Sequence, residues 1–289
     1  MGTSSLSPKE NFARAIRCPD DEINLGAAAL YAASSEFPDL DVIAYQGRIA
    51  QFGIKVKDLL PANYSNFDFV DAMHEVLFGK AGFTGDSKDY FDPGNSHLNE
   101  VIDHLKGNPV TLSIFYIEVA RVTGEKVRGI SLRKHFVVVV GTGEDRIYID
   151  PFHSGGLLSR KECITNILGK DNFKNGDLDD LERKFLKPAS NRAILRRQLR
   201  NLKVAHEKHK QYDLALSASE RIQLVDPTNL RNLSELAHLQ TKVGNFGDAL
   251  DSLTQFLERA PAGSNTEQAE SALRKLKALT LRGSDDSSD

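Results

Sequence analysis

Apolar residues recur at helical spacing through the first part of the chain, up to Thr123. In segment 22–34, for example, apolar side chains fall on one helical face, and Asp20 or Asp21 can cap its start. Pro38 interrupts this pattern, and a second helix is expected to begin after it. Further helices are predicted at 66–78, 96–105 and 110–122, and the last is apolar around nearly its whole circumference, which is typical of a buried helix.

After Thr123 and Gly124 the apolar period changes from that of a helix to that of a strand. Strands are predicted at 126–132, 135–140 and 146–150. Gly141-Thr142-Gly143 predicts a hairpin turn between the second strand and the third. A buried helix followed by an antiparallel meander predicts an α+β domain.

The last part of the chain repeats itself. Tyr212 is matched by Phe246, and Pro227 by Pro261, so the offset in both cases is 34 residues. Two helices per 34-residue unit, with an aromatic residue opening the second helix and proline after it, resemble the tetratricopeptide pattern. The predicted organisation is disorder at 1–10, an α+β domain at 11–170, a linker at 171–190, an all-α repeat region at 191–281 and a disordered tail at 282–289.

The composition sets limits on the class of protein. A net charge of -3 and a pI of about 6.3 give no basic surface of the kind that binds nucleic acid. No apolar run is long enough to insert into a membrane. The two cysteines, Cys18 and Cys163, indicate a reducing compartment, either the cytoplasm or an organelle interior such as the plastid stroma after removal of a transit peptide. Their spacing predicts no zinc site, and no cofactor is expected.

Candidate chemistry is concentrated between the buried helix and the meander. Gly107-Asn108-Pro109 leads into the helix, and His135 and Asp150 lie on adjacent predicted strands, 15 residues apart. Thiol enzymes place a nucleophile at a helix N-terminus, where its pKa is lowered, a histidine as base, and a carboxylate that orients the histidine. We therefore expect His135 and Asp150 to lie side by side in front of the helix start.

Six separated motifs resemble the SirB1-type proteins, which are transglutaminase-like proteins that commonly carry a tetratricopeptide tail; the same module occurs in an F-box protein. The motifs are Phe37-Pro38-Asp39-Leu40-Asp41, Asp92-Pro93-Gly94-Asn95-Ser96, Gly107-Asn108-Pro109-Val110-Thr111-Leu112-Ser113, Tyr116-Ile117-Glu118-Val119-Ala120-Arg121, His135-Phe136 and Ile149-Asp150-Pro151-Phe152. The resemblance implies a transglutaminase-like (papain-like) domain with N-terminal helices, and it implies where the site lies. It brings no established activity. Lys134 stands where the family usually has glycine, and its long cationic side chain is expected to alter access to the site.

The nucleophilic cysteine of that pattern is absent. It would fall near Pro109 or Val110, but no cysteine lies between Cys18 and Cys163. The nearby hydroxyls belong to Thr111 and Ser113, which either act as nucleophiles or cap the helix. The candidate catalytic residues, vestigial or active, are His135, Asp150, Thr111 and Ser113. The pair His135 and Asp150 has a structural alternative, a hydrogen-bonded pair that stiffens the sheet.

Four further residues are candidates for ligand binding: Asn95, Asn99, Asn108 and Glu118. The asparagines could line the site or cap helices, and Glu118 is expected to pair with Arg128 or Arg133. His97 and His104 are expected at the surface. A basic run is expected to form a solvated helix face; its members are Arg192, Arg196, Arg197, Arg200 and Lys203.

Three functions follow from these observations. The leading hypothesis is a non-enzymatic adaptor that binds a protein or peptide partner through the cleft and the tetratricopeptide surface. The second is an acyl-transfer or hydrolytic enzyme that uses Thr111 or Ser113 with His135 and Asp150. The third is an assembly factor whose cleft is vestigial.

Overall fold

The computed structural model describes residues 6–169 and 177–285. The chain forms two compact units, and the division falls between Gln198 and Leu199, inside one long helix. In the described part of the chain, no helix combines the length and the apolar character that crossing a bilayer requires.

Four helices open the first unit, and each begins at a residue whose side chain accepts a backbone N–H. They are α1 (Pro8–Ala15), α2 (Leu25–Ala33), α3 (Val42–Leu59) and α4 (Asn66–His74), capped by Ser7, Asn24, Asp41 and Ser65. Residues 8–10, predicted to be disordered, thus belong to α1. The predicted helix 22–34 starts late, at Leu25, because Asn24 and not Asp20 or Asp21 caps it.

The cap expected from Asp20 belongs to a different helix. Its carboxylate accepts the backbone N–H groups of Asn191 and Arg192 at 2.8 Å each. These two residues open α9 (Asn191–Lys208), so Asp20 fastens the N-terminal segment to a helix far along the chain.

The central helix of the first unit is α6 (Pro109–Thr123). It follows a π-helical turn at Glu75–Lys80, strand β1 (Thr84–Gly85), a 3₁₀ turn at Pro93–Ser96, helix α5 (Leu98–His104) and strand β2 (Lys106–Gly107), which pairs in parallel with β1. Nearly every side chain of α6 is buried, as its apolar pattern predicts.

Four antiparallel strands form the sheet in chain order. They are β3 (Arg128–Leu132), β4 (His135–Val140), β5 (Ile147–Asp150) and β6 (Gly156–Leu158). Leu132 is opposite His135, so Arg133 and Lys134 form a two-residue turn, and Lys134 has a φ of 61°. This left-handed backbone is one that glycine adopts without strain and that a residue with a side chain rarely adopts. The predicted tight turn at Gly141-Thr142-Gly143 is instead a longer connection, 141–146, because Val140 pairs with Ile147.

The residues of β4 alternate between two buried faces of the sheet. One face packs against α6. The other packs against α7 (Arg160–Leu168) and α8 (Leu178–Phe185), in a cluster formed by Ile130, Leu132, Val137, Val139, Tyr148, Cys163, Ile164 and Leu186. The predicted linker 171–190 is therefore wrong in its second half, where α8 and Leu186 belong to the domain. Residues 170–176 lie outside the described part of the chain.

The charged character of that segment misled the prediction because its charges are paired. Glu182 of α8 is buried, accepts hydrogen bonds from Arg146 at 2.8 Å and from Tyr148 at 2.6 Å, and contacts Arg160 at 3.1 Å. A buried carboxylate is tolerated in a helix that packs on a sheet when it has such partners.

The second unit consists of helices that pair in sequence. After the C-terminal part of α9 come α10 (Tyr212–Val225), α11 (Leu230–Lys242), α12 (Phe246–Arg259) and α13 (Glu267–Asp285). Apolar clusters join α10 to α11 and α11 to α12 and α13. Because α13 reaches Asp285, it includes residues 282–285, which were predicted to be disordered.

The basic run on α9 is only in part the solvated face that was expected, because Arg196 and Arg200 are exposed but the other three members are not. Arg192 donates to the carbonyls of Ile16 and Cys18, and Lys203 is buried in an ion pair with Glu235. Buried cations of this kind need partners, and a sequence pattern does not reveal them.

Candidate functional site

Asn108 caps the N-terminus of α6. Its side-chain Oδ1 accepts the backbone N–H groups of Val110 at 2.9 Å and Thr111 at 3.0 Å. Its Nδ2 donates to Oγ of Ser96 at 2.8 Å, so every polar atom of this buried side chain has a partner. Asn108 therefore acts in the structure as a helix cap, the alternative role that its position in the sequence allowed.

The hydroxyls of Thr111 and Ser113 are also used within α6. Oγ1 of Thr111 donates a hydrogen bond to Oδ1 of Asn108 at 3.3 Å, and Oγ of Ser113 donates to the carbonyl of Pro109 at 2.7 Å. Both side chains are fully buried. Within the described residues, neither hydroxyl forms a hydrogen bond with His135, which is the contact that a base needs to activate it.

His135 and Asp150 lie side by side, as their spacing predicts. Because Val138 is opposite Ile149, Asp150 is opposite Val137, and His135 is the diagonal neighbour of Asp150 on the same face of the sheet. Nε2 of His135 is 2.6 Å from Oδ2 of Asp150. Asp150 is the last residue of β5 and His135 the first of β4, so the pair lies where these two central strands of the sheet end.

A second histidine, which sequence reasoning missed, shares the same carboxylate. Nδ1 of His153 is 2.7 Å from Oδ2 of Asp150. Pro151 starts a 3₁₀ turn, Pro151–His153, that brings His153 back over Asp150, whose Oδ1 accepts the backbone N–H groups of Phe152 at 3.1 Å and of His153 at 3.3 Å. The signal was present in the sequence as Asp-Pro followed by histidine three residues after the aspartate. We call His135, Asp150 and His153 the histidine–aspartate site.

The carboxylate of this site is held in its ionised form. Burial alone would raise the pKa of Asp150, but hydrogen bonds and charge interactions with His135 and His153 outweigh it and keep that pKa below its ordinary value. Asp150 is thus an acceptor on both oxygens, with Oδ1 facing the backbone and Oδ2 facing the two imidazoles.

Arg197, on α9, fixes the hairpin that carries His135. Its guanidinium donates to the carbonyl of His135 at 2.7 Å, to the carbonyl of Leu132 at 3.1 Å and to the hydroxyl of Ser131. It also lies over the ring of Phe136, 5.4 Å from the centroid. A planar guanidinium with several donors is suited to fixing a turn in this way. From the sequence, Arg197 was expected on the solvated basic face. Like His153, it is a residue of the site that the sequence did not predict.

Aromatic rings border the site. The ring of Phe152 lies 6.0 Å from that of His135 and 6.2 Å from that of Tyr90, measured between centroids. Tyr90 contacts Phe91, and both are 40% exposed. Large exposed aromatic side chains next to buried polar groups are typical of a binding surface.

Neither thiol takes the position of the missing nucleophile. Cys163 is fully buried on α7, in the cluster on the face of the sheet opposite α6, and burial raises the pKa of its thiol to about 12. Cys18 is half-buried between α1 and α2, where its backbone carbonyl accepts from Arg192. A buried thiol with a raised pKa does not supply the thiolate that acyl transfer requires.

The remaining ligand-binding candidates are spread around the start and the far side of α6. Asn95 donates to the carbonyl of Asp89 at 2.7 Å, and Asn99 donates to Glu100 at 3.3 Å while its buried Oδ1 lacks a hydrogen-bond partner in the described structure. Glu118 pairs with Arg121 at 2.6 Å. The predicted partners of Glu118 were wrong because a residue one helical turn away reaches it first.

Of the two histidines expected at the surface, only one is exposed. His104 is exposed and pairs with Glu100, whereas His97 is buried beside Glu36, with Nε2 3.1 Å from Oε1. The start of α5 turns His97 inward, against the ring of Phe37 at 5.2 Å.

Comparison with known proteins agrees with this architecture. The family model of the transglutaminase-like superfamily matches residues 43–200, more than half of the chain. The chain belongs to the transglutaminase-like superfamily. A tetratricopeptide repeat model matches residues 202–274 of the same transglutaminase-like protein, which confirms the predicted α+β domain and its all-α repeat tail.

Individual relatives match either most of this chain or a part of it. A UPF0162 protein of Xylella fastidiosa is 30% identical over 256 residues, which cover 86% of this chain and 88% of the relative. A UPF0162 protein of Vibrio cholerae is 26% identical over 211 residues, 73% of this chain and 75% of the relative. The human F-box only protein 21 is 31% identical over 102 residues, 32% of this chain and 16% of that protein. These relatives support the predicted resemblance to SirB1-type proteins.

Proposed function

We propose that this transglutaminase-like protein is a non-catalytic adaptor, which binds a protein or peptide partner through the histidine–aspartate site and through its repeat region. Tetratricopeptide repeats act in protein–protein interaction, so a partner for the second unit follows from its family.

The observation that carries the proposal is the start of α6. In place of a thiol there are Pro109 and Val110, and the capping side chain of Asn108 takes up the N–H groups of Val110 and Thr111. A helix terminus that activates a nucleophile needs free N–H groups directed at that nucleophile. The two nearby hydroxyls donate within the helix, and in the described part of the chain neither is hydrogen-bonded to His135.

The retained part of the site is suited to binding. His135, Asp150 and His153 present imidazole and carboxylate atoms at the ends of the two central strands, and the rings of Phe152 and Tyr90 lie alongside. Polar atoms of fixed orientation beside exposed aromatic rings are what peptide-binding sites use for specificity and for contact area.

Photo-crosslinking from the site tests this proposal. A photoreactive amino acid replaces Tyr90, and in a control protein it replaces Ile43, which is exposed on α3. In extracts of the organism that encodes the protein, we expect one partner to crosslink from position 90 and not from position 43, and the crosslink to be lost in the double variant His135→Ala, Asp150→Ala. Equal crosslinking in that variant would favour the vestigial-cleft alternative.

Turnover measurements test the enzymatic alternative. Wild-type protein and His135→Ala are incubated with amide and ester substrates, and with a serine-directed covalent probe that reports on Thr111 and Ser113. We expect no turnover and no labelling of α6. Amidase, transamidase or protease activity that His135→Ala abolishes, while the surface variant His104→Ala retains it, would replace the adaptor with an enzyme.

A further inference from the structure

One carboxylate oxygen in the histidine–aspartate site accepts from two imidazoles. Oδ2 of Asp150 is 2.6 Å from Nε2 of His135 and 2.7 Å from Nδ1 of His153. The donor atoms of the three residues all lie within 4.8 Å of one another. Two imidazole nitrogens and a carboxylate oxygen that converge in this way are a common set of ligands for a transition metal.

We propose that His135, Asp150 and His153 bind a divalent transition-metal ion of the zinc type, a site that goes beyond the adaptor function and does not depend on it. Imidazole favours zinc, cobalt, nickel or copper over magnesium and calcium, which prefer sets of oxygen ligands. The sequence did not suggest this site, because its ligands lie on a strand and on the turn after the next strand and not at the short spacings of zinc motifs.

The geometry requires only a small opening. Bonds of about 2.0–2.2 Å to a tetrahedral ion place the ligand atoms roughly 3.4 Å apart, which is about 0.7 Å more than the present hydrogen bonds. The side chain of His153 is 69% exposed on a short turn, so it can move outward by that distance. His135 and Asp150, with side chains 16% and 5% exposed, provide the fixed part of the site.

Neighbouring groups already orient two of the ligands. Oδ1 of Asp150 accepts two backbone N–H groups, which leaves Oδ2 as the atom that faces the imidazoles. Arg197 holds the carbonyl of His135 and thereby the start of β4. Groups that contact the ligands but not the ion fix ligand orientation in metal sites.

The proton balance is simple. In the hydrogen-bonded arrangement, His135 donates through Nε2 and His153 through Nδ1 to the same oxygen. When the ion binds these two nitrogens, the proton of each ring moves to its other nitrogen, Nδ1 in His135 and Nε2 in His153. No oxidant or further reactant is involved. Three protein ligands leave a coordination position for water or for a donor atom of a bound peptide.

Cobalt titration of the full chain tests the site, with any affinity tag removed and the protein first treated with a chelator. Cobalt(II) bound in a tetrahedral site absorbs visible light, and zinc displaces it from the same site. We expect absorption that saturates near one equivalent in the wild type and in the control variant His104→Asn. In His153→Asn we expect the affinity to fall at least about tenfold, since loss of a mere second-layer partner already costs that much.

His153→Asn changes an exposed side chain, so its far-UV circular dichroism should match that of the wild type. Asp150→Asn is the second variant and should also lose the cobalt band. The proposal is overturned if the wild type shows no visible band, or if His153→Asn and His104→Asn bind cobalt equally well. Repeating the crosslinking from position 90 in the presence of chelator separates the two proposals. The adaptor proposal requires only that the partner binds, and it stands if the partner still crosslinks when the metal ion has been removed.

Discussion

Arg197 and His135 are joined across 2.7 Å, from a guanidinium nitrogen to a backbone carbonyl, although they belong to different elements, α9 and β4. The same guanidinium also reaches the carbonyl of Leu132 on the other side of the two-residue turn. Arg197 therefore holds the backbone that carries the imidazole.

Replacing Arg197 with alanine should destabilise the first unit. The variant loses hydrogen bonds from a charged donor to three acceptors and leaves the carbonyls of Leu132 and His135 without that partner. We expect a loss of about 2–3 kcal/mol in the free energy of unfolding, measured in urea. Arg200→Ala, an exposed position on the same helix, is the control and should change stability by less than about 0.5 kcal/mol. Equal effects of the two substitutions would show that the turn is held by other contacts.

Lys134→Gly should stabilise the protein. The φ of Lys134 is 61°, a conformation that costs a side-chain-bearing residue about 1 kcal/mol and glycine almost nothing. A small rise in the thermal unfolding temperature is expected. Arg133→Gly, at the neighbouring turn position, should lower the unfolding temperature. Arg133 is not among the residues with positive φ, so glycine there only adds conformational freedom to the unfolded chain. A lower unfolding temperature for Lys134→Gly would contradict the turn geometry.

Asp150→Asn should cost stability in a way that depends on pH. The folded-state pKa of Asp150 lies below the ordinary 3.8, so ionised Asp150 contributes stability that is fully present above 3.8 and is lost as the pH falls through the folded-state value. We expect Asp150→Asn to be about 1–3 kcal/mol less stable than the wild type at pH 7. The difference should shrink as unfolding is measured at successively lower pH below 4, and a constant difference would argue against ionisation as the cause.

The two thiols should react at very different rates. Cys163 is fully buried and burial raises the pKa of its thiol to about 12, whereas Cys18 is partly accessible. In native protein treated with iodoacetamide, mass spectrometry should find the label on Cys18, and Cys163 should react only after unfolding in urea. Cys18→Ser should leave the native protein almost unlabelled. Fast labelling of Cys163 in that variant would reopen the search for a nucleophile.

The sequence predicts those parts of the site that depend on local periodicity. The period of two places His135 and Asp150 on neighbouring strands, and the apolar circumference of residues 110–122 predicts a central helix. In each case the signal lies within a few residues or one hairpin, where the distance along the chain and the distance in space are closely linked.

What the sequence does not predict are contacts between distant segments. Asp20 looks like a cap for the helix that follows it, but it caps a helix 171 positions later. Glu182 and Arg197 look like surface charges, and only the folded chain brings their partners to them. His153 lies between these cases: it is close to Asp150 in sequence, but its direction depends on a turn that Pro151 starts.

Helix α9 contributes residues to both units, and this restricts where the chain can be truncated or fused to another protein. A fragment ending at Pro188 would keep every strand of the sheet and all three residues of the histidine–aspartate site, yet it would lose Arg197 together with the helix start that Asp20 caps. The repeat region therefore cannot be exchanged at an arbitrary position in the connecting segment. A chimera that grafts a foreign repeat array at residue 190 discards the anchor of its own hairpin, whereas one joined after Lys208 retains it.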